Sequence, residues 1–306
     1  MTRATLDWFG CSTYRLAAGE ITIFLDAYID RVPGAEGPPG ASAASISVCD
    51  WILVGHSHID HLWGAEIIAA NTGATIIGSY ETRRIMSAAG VPDEQLIAVS
   101  GGERIPLGDG VQVSVYPMLH SCWWAPYDDE HPDSPCVGFN DLDYFERTHR
   151  GSENMVAAIQ AMSPAGQAQI EQATDMREGD GGTFGYLIET AEGSVFFKDT
   201  CGHWTGILGQ LTADVAILGV SGRPHVDGET HQGSLADFVV AECELLQARR
   251  MIPSHHDDYM PGMSGPFGTE ALAAAVSSRT STEFVDLDYS GGYELFADLK
   301  ARPRSR

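Results

Sequence analysis

Short apolar runs, broken by glycine and polar residues, open the chain. Residues 5–9, 14–17 and 21–25 form three such runs, which Gly10 and Gly19 help to separate. Short apolar segments between turn residues are typical of β-strands joined by tight turns. The pattern therefore predicts three strands at the start of the chain.

Strand-like and helix-like segments alternate through the rest of the sequence. Further strands are predicted over residues 47–54, 75–77, 95–99, 103–105, 111–116, 183–189, 194–198, 215–218, 250–253, 283–287 and 293–296. Helices are predicted over residues 62–71, 81–89, 153–162, 167–176, 234–247 and 269–277. Ser234, with Asp237 three residues later, is a plausible cap for one of them. Strands that alternate with helices in both halves predict an α/β fold.

Two segments depart from this alternation. Residues 33–45 are rich in Gly, Pro, Ala and Ser, which predicts a flexible surface loop. Residues 121–182 hold the pair Trp123-Trp124, an acidic piece that contains proline, and two of the predicted helices. We expect one domain over residues 1–306, with 121–182 as an insertion or cap within it.

The composition is strongly acidic. Lys and Arg number 18 against 42 Asp and Glu, which gives a formal net charge of −24, while 43% of the residues are hydrophobic and supply a large core. Such a surface repels nucleic-acid phosphates and anionic lipids, so neither nucleic acid nor a membrane is an expected partner. The first residues lack the apolar segment of a signal peptide, so a cytoplasmic location is expected. The sequence leaves a homo-oligomer open.

One turn concentrates side chains with metal-binding chemistry. The stretch Val-Gly-His-Ser-His-Ile-Asp-His, residues 54–61, contains His56, His58, Asp60 and His61, although the whole chain has 11 His. Imidazole and carboxylate groups are common ligands of zinc and iron. A solvated polar loop is the alternative, but this density of imidazoles favours a metal site.

Other ligand-type side chains follow apolar runs elsewhere in the chain. They are Asp26, His120, Asp199 and His255. Residues at the ends of neighbouring strands can converge at one edge of a sheet, so we expect these side chains to join the histidine-rich turn. Together they supply enough nitrogen and oxygen donors for two metal ions.

The histidine-rich turn resembles the H-x-H-x-D-H signature of the metallo-β-lactamase superfamily. The order of the other motifs is similar as well. Asp26 ends an early strand, His120 comes well after the signature, Asp199 lies in Phe-Phe-Lys-Asp-Thr, and His255 lies in Ile-Pro-Ser-His. The resemblance covers the chain apart from the 121–182 insertion and implies a four-layer αββα sandwich.

The opening of the chain is similar to that of one branch of this superfamily. Residues 6–16, Leu-Asp-Trp-Phe-Gly-Cys-Ser-Thr-Tyr-Arg-Leu, resemble the lactonase-like branch, which includes the L-ascorbate-6-phosphate lactonases and other metal-dependent hydrolases. Cys11 stands where that branch often has His.

The resemblance implies a centre with two divalent ions. His56, His58 and His120 would hold the first ion, and Asp199 would bridge the two. Zinc is the expected metal, with manganese or iron as alternatives.

The second ion would have its own ligands. By resemblance these are Asp60, His61 and His255, with His256 as a rival for the last position. Asp26 would orient a ligand histidine by accepting its other N–H.

The resemblance also implies hydrolysis of a small-molecule substrate. Two metals share a water and lower its pKa, and the hydroxide attacks a carbonyl or phosphoryl centre. Asp60 or Asp199 would orient the hydroxide and pass a proton to the leaving group. A lactone or related ester is the leading substrate class, and a phosphodiester or phosphotriester is the alternative. A β-lactam, sulfur dioxygenase chemistry and metal binding without catalysis are less favoured.

Aromatic residues directly after a ligand are candidates for the rim of the site. Three such residues, Trp123, Trp124 and Tyr127, follow His120. They either form an aromatic wall for the substrate, or pack the insertion onto the core or build a dimer contact.

A second group of rim candidates lies near the Asp199 motif and in residues 219–230. Arg223 and His225 in that loop either hold an anionic part of the substrate or are solvated. His203 either lines the pocket or packs the fold. The buried Cys201 thiol is interpreted as a bystander.

Overall fold

The computed structural model describes residues 3–125, 139–173, 179–266 and 268–299. Its strands are β1 Thr5–Trp8, β2 Tyr14–Ala18, β3 Ile21–Leu25, β4 Trp51–Leu53, β5 Thr75–Gly78, β6 Leu96–Ala98, β7 Arg104–Gly108, β8 Val111–Pro117, β9 Phe184–Glu189, β10 Ser194–Lys198, β11 Gly202–His203, β12 Val215–Gly219, β13 His225–Val226, β14 Glu229–Thr230, β15 Arg250–Ser254, β16 Glu283–Phe284 and β17 Tyr293–Glu294. Its helices are α1 Ile59–Leu62, α2 Ala65–Thr72, α3 Tyr80–Ala88, α4 Tyr144–Ala161, α5 Pro164–Gln172, α6 Thr205–Leu208, α7 Leu235–Leu245 and α8 Glu270–Arg279.

The strands form two large sheets and one small one. The first sheet has the order β17-β1-β2-β3-β4-β5-β6, and the second has the order β16-β15-β12-β10-β9-β8-β7. Within the first sheet β1 to β3 are antiparallel neighbours, whereas β3 to β6 run parallel. In the second sheet β10, β12, β15 and β16 run parallel. The strands β11, β13 and β14 form the small sheet.

Successive side chains along the strands alternate between two hydrophobic cores, one between the sheets and one under the helices. On β3, Ile23 and Leu25 belong to the core between the two large sheets, whereas Phe24 belongs to the core shared with α2 and α3. On β10, Phe197 faces the first sheet, and Phe196 packs into the core that α7 and α8 cover. Successive strand residues point to opposite faces, so each sheet has one sheet-facing and one helix-facing side. The predicted αββα sandwich is confirmed.

Most elements predicted from the sequence are present with shifted bounds. The predicted strand 47–54 is shorter, since it occupies Trp51–Leu53, and the predicted helix 62–71 is divided into α1 and α2 by Gly64, whose φ is +110°. The helix predicted from residue 153 begins at Tyr144, because Asp143 and Glu146 form a capping box there.

The loop predicted over residues 33–45 is not wholly exposed. It ends in a 3₁₀ turn, Ala43–Ser45, in which Ala43 is buried against α2 and the first sheet. None of the helices in the described ranges has the length and apolar content that a membrane crossing requires.

Candidate metal centre

The ends of five strands meet at one edge of the sandwich. Polar residues follow directly after β3, β10 and β15, and shortly after β4 and β8. These positions carry the seven residues predicted as ligands and the Asp26 predicted to orient one of them. The predicted ligands are His56, His58, Asp60, His61, His120, Asp199 and His255. The structure brings all of them to this edge.

The first group of donors consists of His56, His58 and His120. Their donor nitrogens all lie within 4.8 Å of one another, and His56 Nε2 lies 3.0 Å from His58 Nδ1. His120 Nδ1 donates to the carbonyl of Ser121 at 3.0 Å, which leaves Nε2 of His120 as a lone-pair donor. Three imidazoles that converge in this way fit a divalent transition metal.

The second group contains Asp60, His61 and His255. The short helix α1 carries the first two of these residues. His61 Nε2 lies 3.3 Å from Asp60 Oδ2 and 3.2 Å from His255 Nε2. His256 points elsewhere, because its ring stacks on Trp8 and its Nε2 lies 3.1 Å from Asp286 Oδ1. The structure thus places His255, rather than its neighbour, in the donor group.

Asp26 holds the ring of His61 from behind. Its Oδ2 accepts from His61 Nδ1 at 2.7 Å and from the Ser12 hydroxyl at 2.6 Å, while Oδ1 accepts from the backbone N–H of Gly55 at 2.8 Å. A carboxylate on Nδ1 fixes the tautomer and leaves Nε2 free of a proton. This geometry supports the orienting role that the resemblance implied for Asp26.

Asp199 lies against both groups and is fully buried. Its Oδ2 is 2.8 Å from His56 Nδ1 and 3.1 Å from His61 Nδ1. Its Oδ1 is buried and has no hydrogen-bond partner among the residues that the structure describes. Buried carboxylate oxygens without a partner are costly unless a cation or donor satisfies them, so this oxygen fits a divalent metal.

Gly55 has no side chain, and this leaves room for the Asp199 carboxylate. A Cβ on Gly55 would lie 1.9 Å from Asp199 Oδ2, a distance that no side chain can tolerate. We expect Gly55→Ala to displace this carboxylate and to lower the bound metal, measured by elemental analysis of the purified protein. Gly206→Ala is the matched control, because a Cβ there meets nothing within 4 Å. Equal metal content in the two variants would contradict the role of Gly55.

Burial keeps several of the imidazoles neutral. Burial and the neighbouring His56 lower the pKa of His120 to about 4, and burial with His61 lowers that of His255 to about 3. Burial also opposes ionisation of Asp60, but His61 and His255 outweigh it and hold the pKa of this carboxyl well below its usual range. Neutral imidazoles beside ionised carboxylates are the ligand forms that metals bind.

A cavity of about 390 Å³ opens over the two donor groups. Trp123 and Arg223 line it, and the ring of Trp123 lies parallel to that of His120, with centroids 6.3 Å apart. Sequence reasoning did not single out several other apolar lining residues, which are Met155, Ile159, Ile170, Met260 and Met263. Those on α4 and α5 were missed because helical apolar spacing alone does not say which face meets a ligand, and Met260 and Met263 lie outside any helix or strand.

Three other rim candidates, Trp124, His203 and His225, are not among the residues that line this cavity. Trp124 packs under the guanidinium of Arg147, 5.0 Å from its ring centroid. His203 is buried and its Nδ1 lies 2.8 Å from Glu242 Oε1. His225 Nδ1 donates to the carbonyl of His120 at 2.8 Å, so it braces the His120 segment.

The remaining two residues singled out from the sequence are Tyr127 and Cys201. Tyr127 lies outside the described residues. Cys201 is buried, and its Sγ donates to the carbonyl of Gly219 at 3.0 Å, which agrees with the bystander interpretation.

The fold and the donor groups together define an αββα sandwich with clustered metal-ligand side chains at one edge. Residues 22–140 match the family model described as "Beta-lactamase superfamily domain". The chain is 28% identical over 275 residues to a UPF0173 metal-dependent hydrolase of Pyrobaculum aerophilum, covering 89% of this chain and 92% of the relative. Both matches show similarity to metal-dependent hydrolases of the β-lactamase superfamily.

Other comparisons define the extent of this similarity. A UPF0173 metal-dependent hydrolase of Pyrobaculum calidifontis is 33% identical over 116 residues, which is 38% of this chain and 50% of that protein. The chain therefore spans half the length of several such relatives. Among solved structures, the metallo hydrolase Igni18 of Ignicoccus hospitalis has a TM-score of 0.60 at 16% identity, covering 95% of this chain and 97% of that one; it supports the fold.

Proposed function

We propose that the chain is a metal-dependent hydrolase that holds two divalent ions, most favourably zinc. The observation that carries the proposal is the convergence of two donor groups at one cavity that Asp199 also lines, with Asp199 Oδ1 buried and without a partner among the described residues. His56, His58 and His120 would hold one ion. Asp60, His61 and His255 would hold the other, with Asp199 between them. Such ions act as Lewis acids and lower the pKa of water toward neutrality.

Two carboxylate side chains of the chain would accept and transfer the proton of the attacking water. Asp60 and Asp199 are the carboxylates that border the cavity among its described lining residues. Because the neighbouring imidazoles hold the pKa of both carboxyls below the usual range, each can accept a hydrogen bond from the attacking water. One of them would then pass the proton to the leaving group.

The cavity favours a substrate with an apolar part. Trp123, Met155 and Ile159 form one wall, and Met260 and Met263 lie among the other lining residues. An apolar wall binds hydrocarbon and excludes bulk water from the reacting groups. A lactone or related ester with an apolar substituent fits this combination, and the residues at the start of the chain that resemble the lactonase-like branch motivate the same choice.

A phosphodiester or phosphotriester is the alternative substrate class. Among the described residues that line the cavity, Arg223 is the only Lys or Arg. A guanidinium recognises phosphate or carboxylate oxygens, so its position allows an anionic substrate. The same two ions serve attack at carbon or at phosphorus.

Initial rates on three substrates test the proposal. Purified protein is assayed on an alkyl-substituted lactone, an aryl phosphodiester and an aryl phosphotriester, before and after chelation and after addition of zinc, manganese or iron. We expect chelation to abolish lactone opening and zinc to restore it. Faster phosphoester turnover would support the alternative. Turnover that survives complete metal removal would contradict both, and bound metal without turnover of any substrate would favour a non-catalytic role.

A further inference from the structure

We infer that Cys11 is a fourth protein ligand of the second metal position, which makes that position an Asp–His–His–Cys site. The inference rests on the two-ion centre of the proposed function and deepens it. Cys11 is fully buried in the turn between β1 and β2. Its Sγ lies 3.2 Å from His255 Nε2, and the donor atoms of Cys11, Asp60 and His255 all lie within 4.8 Å of one another.

The distances between the donors match a tetrahedral site. Bonds of about 2.0–2.1 Å to nitrogen and about 2.3 Å to sulfur place tetrahedral ligand atoms roughly 3.3–3.6 Å apart. The separations are 3.2 Å from Cys11 Sγ to His255 Nε2, 3.2 Å from His255 Nε2 to His61 Nε2, and 3.3 Å from His61 Nε2 to Asp60 Oδ2. The separation from His255 Nε2 to Asp60 Oδ2 is 3.7 Å. Cys11, Asp60 and His255 are therefore spaced as ligands of one ion, and His61 lies at ligand spacing from Asp60 and His255.

The backbone holds the thiol in this position. Cys11 has φ +47°, in the left-handed region that non-glycine residues rarely adopt. Its carbonyl accepts from Trp8 Nε1, the Ser254 hydroxyl and the His255 N–H, at 3.0, 3.2 and 3.1 Å. Its N–H donates to Asp257 Oδ1 at 2.8 Å. These bonds offset the backbone strain and tie the thiol to the same segment that carries His255.

The Asp257 carboxylate is itself fixed. Arg31 Nη1 donates to Asp257 Oδ2 at 2.7 Å, and the Tyr289 hydroxyl donates to the same oxygen at 3.0 Å. A Cβ on Gly10 would lie 2.2 Å from Arg31 Nη2 and 2.4 Å from Asp257 Oδ2. The chain therefore packs charged groups tightly behind the Cys11 turn, which favours a preorganised donor over a thiol that only fills space.

Other buried cysteines have different surroundings. The thiols of Cys49, Cys122 and Cys201 donate to backbone carbonyls, at 3.3, 3.7 and 3.0 Å. Cys11 Sγ also lies 3.6 Å from the carbonyl of Asp60, but in addition it lies 3.2 Å from the imidazole nitrogen of His255. Separate evidence for a cation near the donor groups comes from Asp199 Oδ1, which is buried without a partner among the described residues. A soft thiolate favours zinc over manganese. The second position would thus be the more zinc-selective of the two, since the first holds imidazoles without sulfur.

Cobalt substitution tests the inference without relying on activity. The metal-free protein is loaded with Co²⁺, and bound cobalt is counted by elemental analysis. We expect two equivalents and a near-ultraviolet thiolate-to-cobalt charge-transfer band. The band should vanish in Cys11→Ala and Cys11→Ser and persist in Cys49→Ala. Cys49 is the matched control because it is buried at the opposite end of β4 from the donor groups.

Metal affinity gives a second readout. We expect the Cys11 variants to bind the second zinc at least roughly tenfold more weakly, because losing even an outer partner of a ligand costs about 10–100-fold in metal affinity. Cys11→Ser should also narrow the zinc-over-manganese preference of that position, since a hydroxyl is a harder donor.

The outcomes separate the two proposals. Wild-type protein that binds two cobalt ions without the band would overturn the Cys11 ligand and leave the two-ion centre standing. Wild-type protein that binds fewer than two ions would contradict the two-ion centre and the inference together. The wild-type spectrum needs no variant, so a Cys11 variant that fails to fold does not remove the test.

Discussion

Replacement of Asp199 by alanine is expected to remove at least one metal ion and nearly all hydrolytic activity. The Asp199 carboxylate lies against His56 and His61, and one of its oxygens is buried without a partner. Lewis-acid stabilisation by a metal is worth several kcal/mol, so turnover should fall by on the order of 10³-fold. Elemental analysis and initial rates on the preferred substrate measure the two effects.

Asp50→Ala is the matched control for this variant. Asp50 precedes β4, whereas the histidine-rich turn that Asp199 contacts follows it, so Asp50 lies at the opposite end of this strand from the donor groups. Asp50 Oδ2 accepts from the backbone N–H of Thr22 at 2.8 Å, and its loss should leave metal content unchanged. Two bound ions in Asp199→Ala would contradict the bridging assignment, whatever the effect on the rate.

The position of the candidate metal centre follows from local sequence features. Asp26, His120, Asp199 and His255 each come after an apolar run, and that rule requires no knowledge of which strands are neighbours. Strand ends at one edge of a sandwich are brought together by the fold itself. Cys11 also comes after an apolar run, residues 5–9, so it satisfies the same rule. However, its partner His255 lies 244 positions away in the sequence. The sequence does not show that these two turns meet.

Other features depend on tertiary contacts that leave no periodic signal. The strands β11, β13 and β14 have two residues each, too few for an alternating pattern to appear. His203 on β11 pairs with Glu242 on α7, so the rim position considered for it does not follow from its closeness to Asp199 in sequence. The lining of the cavity by α4 and α5 depends on how the insertion docks, which helical spacing does not specify.

The last prediction concerns a buried ion pair that supports the Asp199 segment. Lys198 Nζ lies 2.9 Å from Glu242 Oε1, both side chains are fully buried, and His203 Nδ1 lies 2.8 Å from the same oxygen. Lys198 also donates to the carbonyl of Thr200 at 2.5 Å. The pair therefore connects helix α7 to both sides of Asp199.

Glu242→Ala should lower the free energy of unfolding by about 3–5 kcal/mol, because it leaves the buried Lys198 ammonium without a counter-charge. Burial opposes ionisation of Glu242, but Lys198 and His203 outweigh it and lower the pKa of this carboxyl, which agrees with a charged pair. Urea unfolding followed by circular dichroism measures the loss. Glu244→Ala, at an exposed position on the same helix, should change stability by no more than about 0.5 kcal/mol.

The double variant Lys198→Met, Glu242→Met distinguishes a missing counter-charge from lost packing. With both charges removed, no buried ammonium remains, so the double variant should be more stable than Glu242→Ala. If the double variant is the less stable of the two, the ion pair itself contributes net stability and the desolvation argument is wrong. If Glu242→Ala loses less than about 1 kcal/mol, the Lys198 ammonium has found another partner or water, and the Asp199 segment does not depend on this pair.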